Sequence, residues 1–158
     1  NQVKRIGYDS DGSIAWKGTN EYDEEGNPVE EISYDSDGSI DSKWTYEYDE
    51  EGNQVETIWY DLDGSISSKS TYEYDEEGNQ VEMINYDSDG SINLKVTSEY
   101  DEEGNRVEEI KLEEITQSPV VKWTYEYEYD EEGNWTSLIA FKDGVANEIS
   151  EREFEYYD

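Results

Sequence analysis

An all-β antiparallel meander of about 12 strands, built from 26-residue two-strand repeats into a curled or spiral single sheet, is the fold this 158-residue sequence predicts. Three observations lead there. The string YDEEGN begins at positions 22, 48, 74, 100 and 129, and YDSDGSI begins at 8, 34 and 86 with YDLDGSI at 60. Two turn-like strings therefore alternate at a period of 26 residues that stretches once to 29. Every one of them contains Asp-x-x-Gly, and the segments between them alternate apolar with polar residues, the period-two pattern of a strand with one apolar face.

The turns come first. A type I turn favours Asp at its first position and Gly at its fourth, where Gly takes positive φ and forms the bulge that closes a three-residue hairpin loop. Asp35 then pairs across its turn with Ser39, and Asp23 with Asn27. If that equal-parity pairing holds along the strands, even-numbered residues share a face. Ile6, Trp16, Ile32, Trp44, Tyr46, Ile58, Tyr60, Ile84 and Val96 then form an aromatic and aliphatic side. Lys43, Thr45 and Glu47, repeated as Lys69, Thr71, Glu73 and as Lys95, Thr97, Glu99, form a solvated odd side. Val29, Val55, Val81, Val107, Trp59 and Met83 break the rule and fall on the odd side as exposed or bulge-adjacent residues. Curling of the sheet is expected to cover the apolar side.

The fifth unit is irregular. Its odd spacing moves the apolar set to odd numbers, at Val121, Trp123, Tyr125, Tyr127, Tyr129, Ile139 and Phe141. Lys142-Asp143-Gly144-Val145 reads as a two-residue hairpin loop that restores even parity for Ala146 and Phe154. The chain is thus a single array over 1–158 of about six units, regular over 1–112 and irregular over 113–158. Asn1 matches the end of a YDEEGN string and FEYYD at 154–158 the start of another, so the array reads as a piece of a longer one.

The motif Tyr-x-Tyr-Asp-x-x-Gly-Asn at Tyr46 to Asn53 and Tyr72 to Asn79, with Tyr-Asp-x-x-Gly elsewhere, resembles the YD repeats of bacterial Rhs proteins and of related toxin and cell-surface proteins. The resemblance covers essentially the whole chain. It implies a long meandering sheet that winds into a spiral or shell-like wall with its tyrosine side inward. Some members enclose a toxin domain, and others sit on cell surfaces and are associated with carbohydrate binding or adhesion. Asn27, Asn53, Asn79, Asn105 and Asn134 stand where the family commonly has a basic residue after its Gly.

Composition narrows the chemistry. The chain has 44 Asp plus Glu against 11 Lys plus Arg, a formal net charge of -33, and neither Cys nor His. That excludes a disulfide framework, thiolate or imidazole zinc sites, a His-based triad and a Cys nucleophile. A field of this sign repels nucleic acid, and no run is apolar enough for membrane insertion. An aromatic content of 14% argues against the disorder that such charge otherwise suggests. Paired carboxylates could serve glycoside hydrolysis, but identical pairs in every repeat do not make one cleft with two unlike environments, and no enzyme is expected.

Two sets of site candidates remain. Asp9 and Asp11, Asp35 and Asp37, Asp61 and Asp63, Asp87 and Asp89 could bind calcium weakly at the acidic turns, against the plainer reading that each first Asp caps its own turn. Trp59, and after it Trp135 beside the irregular unit, are the candidate ligand-contact residues, since Trp16, Trp44 and Trp123 fall on the apolar side. The reading is a non-enzymatic structural or adhesive extracellular scaffold of a bacterial surface or secreted protein. Its alternatives are a carbohydrate-binding module and a wall segment of a toxin-encapsulating shell. Expected partners are a glycan or protein at a cell surface, and other copies through the sheet edges.

Overall fold

The computed structural model describes residues 1–113 and 121–154. Twelve strands follow in chain order: β1 (Gln2–Tyr8), β2 (Ile14–Tyr22), β3 (Pro28–Tyr34), β4 (Ile40–Tyr48), β5 (Gln54–Tyr60), β6 (Ile66–Tyr74), β7 (Gln80–Asp87), β8 (Ile92–Tyr100), β9 (Arg106–Glu113), β10 (Val121–Tyr129), β11 (Trp135–Lys142) and β12 (Val145–Glu151). They form one open antiparallel sheet whose spatial order is the chain order. The expected meander and strand number are therefore observed. Residues 155–158, the end of the FEYYD segment, lie outside the described residues.

The turns close as their chemistry requires. The Asp35 N–H donates to the Ser39 carbonyl at 2.9 Å, the Gly38 N–H to the Asp35 carbonyl at 3.0 Å, and the Asp23 N–H to the Asn27 carbonyl at 3.0 Å. Gly38 sits at φ 88°, a region closed to most side chains, and the other Asp-x-x-Gly turns repeat it. At the last hairpin Asp143 and Gly144 have φ of 51° and 78°, and Lys142 pairs with Val145, the two-residue loop expected there.

Past each Asp-x-x-Gly turn, however, the register shifts. Tyr34 pairs with Ile40 but Ser33 with Ser42, leaving Asp41 as an extra residue. Tyr48 pairs with Gln54 but Glu47 with Glu56, leaving Val55. The same bulge recurs at the other turns of both kinds, and each one reverses parity between the strands it joins. The single even-numbered face is thereby corrected. Trp44 lies opposite Trp59 and Tyr46 opposite Thr57, while Lys43 lies opposite both Ile32 and Tyr60. One face holds Trp16, Trp44, Tyr46, Trp59, Tyr72, Met83 and Val96; the other interleaves the Lys, Thr and Glu of the long strands with the Glu, Ile and Tyr of the short ones.

The sheet is a single layer. Each strand contacts only its sequence neighbours, so among the described residues nothing of this chain lies on either face. The covering expected from curl is absent, and Val96 and Ala140 are the only buried apolar side chains described. Rings are shielded sideways by their neighbours in the sheet. β9 and β10 pair only from Lys111 with Val121 to Glu108 with Thr124, so the longer spacing of the irregular unit falls at this junction.

Candidate functional site

The aromatic face is built from facing pairs. Trp44 and Trp59 stack with ring centroids 5.4 Å apart and planes 9° from parallel. Trp59 is 40% exposed, but it shares a face with Trp16 and Trp44, which corrects the opposite placement that unbroken parity gives it. Trp16 lies flat across Gly7, where a Cβ would overlap the indole nitrogen, and it reaches on toward Gly18. Glycine in the strand here makes room for the ring.

From β9 onward the same face gathers cations. Lys142 stands 5.8 Å from the Trp123 ring centroid and the Arg106 guanidinium 5.2 Å from that of Tyr125. Trp135, the second predicted contact residue, is covered on one side by Arg152 at 3.4 Å and meets the edge of Tyr127 at 6.3 Å. Glu109 is only 6% exposed. It pairs with Arg106 and, at 3.1 Å, with Lys111. Two cations offset the desolvation of one carboxylate. Sequence reasoning did not single out this cluster. Its signal was present in the repeat alignment, because Arg106 replaces Gln54 and Gln80, and Lys111 replaces Trp59 and Asn85.

The opposite face is a ladder. Lys43 bridges Glu30 at 2.7 Å, Lys69 bridges Glu56 at 2.5 Å, Lys95 bridges Glu82 at 2.7 Å and Lys122 bridges Glu108 at 2.5 Å. Lys17, Lys43 and Lys69 also lie over Tyr34, Tyr60 and Tyr86, at 4.4, 5.3 and 5.9 Å. The hydrogen bond that each ammonium donates to its partner Glu holds Lys43, Lys69 and Lys95 above the ordinary lysine pKa, against partial desolvation.

At the rims the two turn classes use different carboxylates. In YDEEGN turns the first Asp caps the loop as expected: Asp75 accepts the Asn79 N–H at 2.7 Å and its side-chain amide at 3.0 Å. In YDxDG turns the second Asp does so, and the expectation for the first is corrected. Asp63 accepts both the Ser65 N–H at 2.9 Å and its hydroxyl at 2.6 Å, and Asp11, Asp37 and Asp89 repeat this. The two classes differ both at the third place, Asp in one and Glu in the other, and after Gly, Ser in one and Asn in the other; the short Ser hydroxyl bonds the nearer Asp, and the longer Asn amide reaches back to the first. These bonds hold Asp11, Asp37, Asp63 and Asp89 below the usual carboxylate range, the Ser hydroxyl contributing most. Of the calcium candidates, Asp9, Asp35, Asp61 and Asp87 thus stand beside partners already engaged. Among the described residues no three acidic side chains gather as a metal-ion cluster.

Between successive YDEEGN turns the sheet is notched, because β3 and β4 stop pairing at Glu30 and Thr45 while β4 and β5 continue to Tyr48. The first notch has a volume of about 740 Å³, with Val29, Tyr46 and Tyr48 among its lining and Asp23, Glu25 and Asp49 around them. Tyrosine hydroxyls partly close the later notches: Tyr74 donates to the Gln54 carbonyl and Tyr100 to the Gln80 carbonyl, both at 3.0 Å. Tyr129 instead donates to Asp101 at 2.7 Å. Desolvation first, and then this bond, push its pKa up to about 12.

No protein-family model matches this chain, and neither does any curated protein. Among solved structures, the chain superposes on the Photorhabdus luminescens Tc holotoxin pore with a TM-score of 0.56 and 15% identity, over 96% of this chain and 8% of that one. A crystal structure of TcdB2-TccC3 aligns with a TM-score of 0.48 and 15% identity, over 92% of this chain and 8% of that one. At such identity the likeness concerns the backbone, and the chain shares the fold of a short stretch of the holotoxin pore.

Proposed function

We propose that this chain is a non-catalytic wall segment of a protein-enclosing shell of the toxin type, with its aromatic face turned toward what the shell encloses. The observation that carries the reading is the superposition of 96% of the chain on the Tc holotoxin pore. A single-layer sheet suits a wall, since neither face is consumed by a core of its own. The unequal variation of the two faces also supports it. Trp44 is matched at the 26-residue spacing by Gly18, Ser70 and Val96, and Trp59 by Ser33, Asn85 and Lys111, whereas Lys43 is matched by Lys17, Lys69 and Lys95. Repeat scaffolds keep their joints constant and vary the face that meets a partner. Such a wall would act outside the cell that makes it.

The test is binding of a reduced, carboxymethylated polypeptide, followed by tryptophan fluorescence. The wall reading expects saturable binding that Trp44→Ser with Trp59→Ser abolishes, and no response to oligosaccharides. Saturable oligosaccharide binding lost in Trp59→Ala, with no polypeptide binding, would overturn it in favour of a carbohydrate-binding module, the reading that the exposure of Trp59 favours.

A further inference from the structure

The two outer strands of the sheet differ in charge. β1 carries Lys4 and Arg5 and no acidic residue, although at the 26-residue spacing the same two places hold Glu30 and Glu31 in β3 and Glu108 and Glu109 in β9. The substitution costs β1 an internal contact. Glu30, Glu56, Glu82 and Glu108 each bridge a lysine of the following strand. The corresponding pair between β1 and β2 is Lys4 and Lys17, two like charges. β12 carries Glu148 and Glu151 and no basic residue. All four side chains are exposed. Both strands leave one side unpaired among the described residues.

We propose that β12 of one copy of this chain pairs with β1 of a second copy, head to tail, so that the sheet continues across the junction. Three features fit this geometry, and the charges set it apart from the other edge pairings. An odd and an even strand of a meander run in opposite directions, so the new junction is antiparallel like every internal one. Arg5 lies on the aromatic face, opposite Gly18, and Glu148 lies on that face too, opposite Ala140. Lys4 and Glu151 lie on the ladder face, opposite Thr19 and Ser137. In the register that sets Arg5 against Glu148, Lys4 falls against Ile149 and one diagonal step from Glu151. Both charges of each edge are then matched on their own faces, within reach for cross-strand pairs. Pairing of two β1 strands or two β12 strands would set like charges together. The junction is heterologous, so association is open-ended rather than a closed dimer. It rests on the edges of the sheet and the wall reading on its aromatic face, so each is tested by its own variants.

The rival role for Lys4 and Arg5 is the opposite one, charges that blunt an edge against pairing. Sedimentation velocity of the full chain over a wide concentration range separates the two. At about 0.15 M salt, where screening over about 8 Å relieves the general repulsion, the native chain should form a concentration-dependent series of oligomers. Lys4→Glu with Arg5→Glu should weaken association about tenfold or more, as should Glu148→Lys with Glu151→Lys. An equal mixture of these two variants should associate again, because each supplies the edge the other lacks, and circular dichroism checks that both fold. Stronger association in Lys4→Ala with Arg5→Ala would overturn the proposal and establish blunting. A native chain that stays monomeric, or a mixture that does not recover, would overturn it as well.

Discussion

The two faces of this sheet solve different problems with the same strands. The ladder face repeats its contacts almost unchanged, with Lys, Thr and Glu of one strand meeting Glu, Ile and Tyr of the next. The aromatic face shows no such repetition, changing from the Trp44–Trp59 stack through Ser70 and Asn85 to Val96 and the paired Glu109. The difference teaches where a one-layer repeat keeps its cohesion. Identical pairs suffice to join strand to strand, so one face can stay constant. The other is then free to change from unit to unit, and it gathers the large rings that a second layer would otherwise cover.

The sharpest way to break the comparison is on the variable face. Trp44→Ala removes the ring on which Trp59 stacks and exposes the flank of the latter. A buried Trp→Ala change costs roughly 3–5 kcal/mol, and for a ring open to solvent on one side the expected cost is about 2 kcal/mol. Urea unfolding should report it as a lower midpoint with little change in slope. At the same column one unit later, Ser70→Ala removes only a hydroxyl bonded to Asn85 and should cost well under half as much. Equal effects would mean that the face is cohesive throughout and that its variation has no energetic meaning.

How these faces were assigned shows which parts of the fold the sequence makes legible. Strand order, strand number and turn positions follow from the Asp-x-x-Gly strings, because the first Asp and the fourth-position Gly determine a turn locally. Face assignment does not, because it depends on counting residues through every hairpin. One extra residue at each bulge, such as Asp41 or Val55, reverses the count. Trp59 and Met83 looked like exceptions for that reason alone, and the Lys43–Glu30 bridge was hidden because the two residues have opposite parity. The exceptions were themselves the signal, since Val29, Val55, Val81 and Val107 recur at the repeat spacing of 26 residues. The Glu109 cluster was less legible still: its partners Arg106 and Lys111 stand out only against the other units.

A smaller effect is expected on the constant face. Lys69→Met removes one rung, a half-exposed bridge to Glu56, and should cost no more than about 1 kcal/mol, fading with added salt. The pH dependence gives a cleaner readout. Bonding to Glu56 raises the Lys69 pKa above its ordinary 10.5, so the folded sheet holds that proton more tightly than the unfolded chain does. The stabilisation is complete below 10.5 and disappears as pH rises through the higher folded value. Tyr129, raised from 10.0 to about 12, titrates in the same direction. Alkaline unfolding of the native chain should therefore steepen across this window, and Lys69→Met should flatten part of that slope. An unchanged alkaline limb would remove the ladder as a source of cohesion.

The smallest expected effects lie at the rims, where the two faces end and the two turn classes alternate. Asp63 accepts two hydrogen bonds from Ser65, and in the other class Asp75 accepts two from Asn79. Asp63→Ala should therefore lower the melting temperature more than Asp61→Ala, although Asp61 holds the turn position usually credited with capping. In the neighbouring YDEEGN turn, Asp75→Ala should be the damaging change and Glu77→Ala the mild one. These bonds hold the Asp63 and Asp75 pKa below 3.8, so their contribution is present above that value and lost as pH falls through the lower folded one. The difference between Asp63→Ala and the native chain should thus shrink in strong acid while persisting at neutral pH. If Asp61→Ala proves the more damaging at neutral pH, capping in this class belongs to the first Asp after all.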